Sequence, residues 1–273
     1  MLRSLVILLA FMLLITPVFA SVDKSSCDYL KNKKHFSIVN PFIETIAQNK
    51  IKKSLKKSLK GDFNVNFDGY TLSSMKNGVF KKLDIVGTDL FIENIEIPYL
   101  RISTITDYNR LDYSQKPIVF KSDMIYSYEI KLSEQSVNQA LEKKDYEKNL
   151  EKINNLAYPL FILNNVDIKL KNNKIYLLMY YNFPVAPAKI DKTFMISTSF
   201  KVENHRIKAY DIDINKAYGV ISETKVANLL NLLDPLTFTL SLLNTKKCNA
   251  IVENVKIIDN IIVVNGKIYV KGE

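Results

Sequence analysis

From Phe63 to Ile268 apolar and polar residues alternate along much of the chain. Leu83/Ile85, Leu90/Ile92, Tyr126/Tyr128/Ile130/Leu132, Val166/Ile168/Leu170, Ile175/Leu177/Met179, Phe194/Ile196, Ile212/Ile214, Val255/Ile257 and Ile262/Val264 are each spaced by one largely polar residue. A period of two is that of a strand with one apolar and one wet face, and its repetition without regular helical crossovers predicts an antiparallel sheet. Asn172-Asn173 and Asp259-Asn260 punctuate the pattern as hairpin turns, and Asn204-His205 falls in a third.

Three segments carry the helical period instead. Asn40-Pro41 reads as N-cap and first helical residue of a segment running to Gly61. Along it Ile43, Ala47, Ile51, Leu55 and Leu59 fill an arc of about 160°, and Lys50, Lys52, Lys53, Lys56, Lys57 and Lys60 fill the opposite one. No acid between residues 50 and 60 offsets the like charges at i,i+4, so an anionic surface would relieve them. A solvated outer face on a helix packed into the fold explains the same pattern. Ser133 caps a second helix, with Leu132 and Val137 as a hydrophobic staple; Ser222 caps a third, with Ile221 and Val226 in the same relation. The third carries Val226, Leu229, Leu230 and Leu233 on one face, meets Asp234-Pro235 and continues through Leu236, Phe238, Leu240 and Leu242.

No Pro-, Gly- or Ser-rich linker divides residues 40–273, which predicts a single α+β domain. An antiparallel sheet of roughly eight to ten strands has more apolar face than three helical stripes cover, and curling around a helix is the usual solution. The curled sheet encloses either a solid core or an elongated apolar groove, and periodicity does not choose between them. If it is a groove, acyl chains suit it, at about 0.8 kcal/mol per buried CH₂. The lining residues are then Leu83, Ile85, Leu90, Ile92, Tyr126, Tyr128, Ile168, Leu177, Met179, Phe194, Ile196 and Phe200 from the strands. The third helix and its continuation add Val226, Leu229, Leu230, Leu233, Phe238 and Leu242.

The N-terminus sets the compartment. Arg3, the apolar run Leu5–Ile15 and the close Val18-Phe19-Ala20 follow the plan of a secretory signal cleaved after Ala20, followed by a polar leader over 21–39. The run is shorter than the ~20 residues of a comfortable membrane span. The expectation is an exported protein of the periplasm or cell envelope, peripherally associated with membrane. Its 38 Lys and Arg against 28 Asp and Glu, a net +10, then point to an envelope lipid or glycan rather than to nucleic acid. Cys27 and Cys248 both survive cleavage, so either a disulfide or two free thiols is chemically open. With no neighbouring His or second Cys, neither suggests a metal site, and no cofactor is expected.

Catalytic constellations are hard to assemble. His35 and His205 are the only histidines; the seven glycines are too dispersed for a phosphate-cradling loop, and no H-E-x-x-H or G-x-S-x-G occurs. Asp211 and Asp213 alternate with Tyr210, Ile212 and Ile214 and read as a wet strand face. A binding protein without chemistry is the expectation.

One family shares the order of these features. Leu72, Met75, Gly78, Phe80, Leu83, Ile85, Gly87 and Leu90 stand at the spacing of the N-terminal signature of LmeA-type phospholipid-binding proteins. Leu132-Ser133-Glu134 with Val137, Asn138 and Leu141 resembles their helix-opening motif, Leu232-Leu233-Asp234-Pro235-Leu236 their helix end, and Val255 to Ile268 their closing hairpin. The resemblance spans residues 42–270 and departs at Asn204-His205-Arg206-Ile207, where Asn-Gly-Lys-Ile is common, and at Asp234, where Asn is usual. It implies a tubular-lipid-binding (TULIP-like) fold, a long curved sheet wrapping a helix, with phospholipid in the groove.

Overall fold

The computed structural model describes residues 40–92, 94–112, 119–158, 162–183, 192–214, 230, 236 and 248–272. The alternating segments form thirteen strands: β1 (Lys60–Asp68), β2 (Val79–Phe80), β3 (Lys82–Ile92), β4 (Ile95–Thr104), β5 (Asn109–Asp112), β6 (Val119–Phe120), β7 (Met124–Leu132), β8 (Ile162–Lys171), β9 (Lys174–Asn182), β10 (Lys192–Glu203), β11 (Arg206–Ile214), β12 (Cys248–Ile258) and β13 (Ile261–Val270). The described helices are α1 (Asn40–Ser58), α2 (Leu72–Lys76), α3 (Glu134–Leu141) and α4 (Lys144–Ala157). This is an α+β protein, but among the described residues its strands form three open sheets rather than one long one. The largest has six strands in the order β1-β3-β4-β7-β13-β12, the second four in the order β11-β10-β9-β8, and a small third has β2-β5-β6.

All pairs are antiparallel, so inward residues line up in rows across the sheet. One row runs Val65, Ile85, Ile102, Tyr128, Gly266, Val252, and the next Phe63, Gly87, Leu100, Ile130, Val264, Val255. The outer face carries polar pairs: Arg101 makes two hydrogen bonds to Asp84, at 2.9 and 3.0 Å, and Lys131 lies 4.7 Å from the centre of the Tyr99 ring. The hairpin turns fall as the sequence predicts. Asn172-Asn173, Asn204-His205 and Asp259-Asn260 all have φ between 51° and 60°, the left-handed pairs of a two-residue turn.

Bulges let odd and even positions share one face. Leu83 and Ile85 point inward, as do Leu90 and Ile92, because Thr88-Asp89 intervenes; Asp89 has φ 51°. β4 changes parity at the same level, with Ile97 and then Leu100 inward across Pro98-Tyr99. Proline lacks the N–H that a continuous ladder needs. Extra residues likewise interrupt β8 at Asn164 and β12 at Glu253, and β11 opposite Thr198.

α1 stops three residues short of the predicted end, and Lys60 opens β1. Gly61 sets that boundary. Its φ is 132°, and a Cβ there would meet Leu90 Cδ2 at 2.7 Å and the Asp89 carbonyl at 2.8 Å. Ile51, Leu55 and Leu59 are buried, and α1 flanks β1, the outer strand of the largest sheet. Ser133 caps α3 as expected, in a reciprocal capping box with Ser136. α4 is an addition: the pattern singles out no helix there, yet Tyr146, Leu150 and Ile153 are buried at i, i+4 and i+7. Of the helix predicted after Ser222 and its continuation, only Leu230 and Leu236 are among the described residues; both are helical and buried.

Candidate functional site

The candidate site is the apolar core to which the two larger sheets contribute their inward residues. β7 leads into α3 through Ser133 alone, and α3 lies against β4, β7 and β8, so it stands between the six-stranded and the four-stranded sheet. On another side the sheets meet directly, β12 against β10 and β11. Val137, Ala140 and Leu141 form the buried face of α3.

Of the sequence-predicted lining, Leu83, Ile85, Leu90 and Ile92 on β3, Tyr126 and Tyr128 on β7, Ile168 on β8, Leu177 and Met179 on β9, and Phe194 and Ile196 on β10 all join one buried apolar cluster. Leu230 is buried in it too, and Phe200 packs against it half-exposed. Val226, Leu229, Leu233, Phe238 and Leu242 lie outside the described residues. β4 adds Ile95, Ile97, Leu100 and Ile102, which the alternation misses because Pro98 breaks the period. Polar atoms on this face are satisfied: the Leu83 N–H donates to Thr104 Oγ1 at 3.0 Å, and Thr198 Oγ1 donates to the Tyr210 carbonyl at 2.8 Å. Burial, aided by the negative charge of Glu253, pushes the Tyr128 phenol up to about 12.

A set of polar residues that sequence reasoning left unassigned holds the four-stranded sheet in place. Among the described strands β8 is an outer one, and its outward N–H and C=O groups meet no described strand. Three side chains supply partners instead. Glu134 Oε2 accepts from the Leu170 N–H at 2.8 Å. Asn138 accepts from the Ile168 N–H at 2.8 Å and donates to its carbonyl at 3.1 Å. Asn154, on α4, makes the same double bond with Leu163, at 2.7 and 2.9 Å. The spacing is geometric: four helical residues rise about 6 Å, and two strand residues about 6.6 Å. A helix antiparallel to an edge strand thus meets alternate backbone groups with side chains at i and i+4. On its other side α3 is tied to β4, where the Glu96 N–H donates to Gln139 Oε1 at 2.7 Å.

The predicted membrane-facing lysines divide. Lys52, Lys53, Lys56 and Lys57 are exposed on α1, Lys60 is exposed at the start of β1, and Lys50 is half-buried. An acid just past the helix offsets part of the charge: Lys56 Nζ is 2.8 Å from Asp62 Oδ1, and holds that carboxyl below its usual range. His205 is exposed at its turn, and Asp211 pairs with Lys174 at 2.8 Å. Among the described residues no group of three or more His, Cys, Asp or Glu is placed to hold a metal ion. Nor is any described helix long and apolar enough to cross a membrane. Cys248 opens β12, whereas Cys27 and the predicted signal segment lie outside the described residues.

No protein-family model matches the chain, and no curated protein or solved structure is similar to it. The likeness to LmeA-type proteins therefore rests on motif order and spacing alone.

Proposed function

We propose that this chain is an exported lipid-binding protein of the cell envelope, which holds or transfers an acyl lipid between its two larger sheets and docks on anionic membrane through α1. One observation carries the reading: the inward faces of two open-edged sheets join one apolar cluster, with α3 seated between β4 and β7 of one sheet and β8 of the other. Such an arrangement parts along its seams without breaking a strand ladder. The signal-like N-terminus, the LmeA-like motif order and the exposed lysines of α1 support the same reading. It is a binding function and calls for no cofactor.

The alternative is a structural or adaptor envelope protein with a filled core, and packing favours it at two places. Leu90 leans over Gly61 and Gly87, and Tyr128 lies over Gly266, leaving no room for even a Cβ. Native mass spectrometry of mature protein purified without detergent, followed by lipid analysis of an extract, separates the two. Adducts of phospholipid mass are the expected result. A mass that stays free of adducts after incubation with phospholipid vesicles sinks the lipid reading in favour of the filled core.

A further inference from the structure

We infer that α3 is a clasp that releases β8, and that this release opens the way for an acyl chain to pass between the sheets; the inference rests on the lipid-binding reading above. Chain connectivity fixes which side opens. α3 follows β7 after one residue and is locked there by the Ser133–Ser136 capping box, with Gln139 holding β4, so it stays with the six-stranded sheet. β8 lies some twenty residues further along the chain, beyond α4, and Asn154 ties α4 to its first turn of strand at Leu163. α4 therefore travels with the four-stranded sheet, and the α3–α4 junction at Glu142-Lys143 is the pivot.

The seam between α3 and β8 joins an apolar interior to a polar rim. The interior side is Val137, Ala140 and Leu141 against the inward residues of β8. The rim is the set of bonds from Glu134 and Asn138 to Leu170 and Ile168. Side-chain-to-backbone bonds of this kind are exchangeable with water at small net cost once the seam opens, because both partners regain solvent. Strand ladders elsewhere in the two sheets would have to break cooperatively. The α3–β8 seam therefore parts without breaking a ladder, and Glu134 and Asn138 set how often it parts.

The test is transfer of a fluorescent phosphatidylglycerol from the loaded full-length mature protein to phosphatidylglycerol/phosphatidylcholine vesicles, together with amide exchange at Ile168 and Leu170. Asn138→Ala should raise the transfer rate roughly tenfold and strip protection from the Ile168 amide, with the amount of lipid bound at equilibrium little changed. Glu134→Ala removes one bond only and serves if the first variant does not fold. Leu111→Ala, in the small sheet, lowers stability without touching the seam and should leave the rate alone. Unchanged transfer despite faster exchange at Ile168 or Leu170 overturns the clasp while leaving lipid binding intact, as does equal acceleration by Leu111→Ala. A wild-type protein that takes up no phosphatidylglycerol overturns both.

Discussion

Tyr128 on β7 lies directly across Gly266 on β13: a Cβ at position 266 would come 2.7 Å from Tyr128 Cε1 and 2.8 Å from its hydroxyl oxygen, and would collide with the Ile251 carbonyl. The ring occupies the place of the side chain that glycine lacks, in the middle of the row from Val65 to Val252. Glycine weakens a strand unless a neighbouring aromatic covers it, and here the β12 bulge at Glu253 falls beside the covered glycine. Gly266→Ala should therefore cost about 2–4 kcal/mol, because one of the clashing atoms is backbone and cannot rotate away. Urea unfolding checks it; a loss below about 0.5 kcal/mol would mean that β12 and β13 separate freely at this point.

The same tyrosine makes stability depend on pH in the alkaline range. Burial, then the charge of Glu253, raises its phenol from 10 to about 12. Between these values the unfolded chain has lost the proton and the folded one has kept it, so stability falls as pH rises through the window and is full below it. Tyr70, Tyr99 and Tyr180 are also raised, chiefly by burial, so the wild type alone does not isolate the effect. The difference between wild type and Tyr128→Phe does. It should be flat below pH 10 and shift by about 2 kcal/mol toward the variant by pH 12. A difference that stays flat throughout places the phenol in water.

How far the sequence foretells this molecule depends on which force sets each feature. Rows such as Ile168, Leu177 and Ile196 are legible because burial of one strand face imposes a period of two. The turn at Asn172-Asn173 is legible because few residues tolerate left-handed backbone. β4 is obscured by Pro98, where its parity changes opposite Asp89. α4 is obscured by its composition, since its buried residues Tyr146, Leu150 and Ile153 are set among Lys, Glu and Asn. Glu134 and Asn138 stand in the helix-opening motif and Asn154 looks like an ordinary helix-surface residue, but nothing in the chain says that β8 has an edge until the strand order is known. The division into three sheets is hidden for the same reason.

Charge on α1 yields a prediction about docking. Lys52, Lys53 and Lys57 are exposed, whereas Lys56 is paired with Asp62, so reversing the first three leaves that pair intact. The triple change to Glu should weaken binding to phosphatidylglycerol vesicles by at least tenfold, since each basic residue near an anionic surface contributes about 1 kcal/mol. Added salt should reduce wild-type binding in the same direction, and unfolding should be nearly unchanged. Vesicle co-sedimentation insensitive to both charge reversal and salt would leave α1 as a structural helix and move the docking face elsewhere.

Asn154 tests whether side chains truly finish the β8 edge. It bonds both outward groups of Leu163, at 2.7 and 2.9 Å, and it sits one turn before the end of α4. Leu163 is itself buried beside the bulge at Asn164, so its N–H and carbonyl are poorly placed to turn to water while the fold holds. Asn154→Ala should cost about 1–3 kcal/mol, the penalty of leaving a partly buried backbone group without its bond. Asn154→Asp keeps the acceptor for the Leu163 N–H but sets a carboxylate against its carbonyl, and should lose no less. Urea midpoints together with the exchange rate of the Leu163 amide decide the matter. Loss of stability with the Leu163 amide still protected would show that Asn154 acts through α4 rather than through the strand edge.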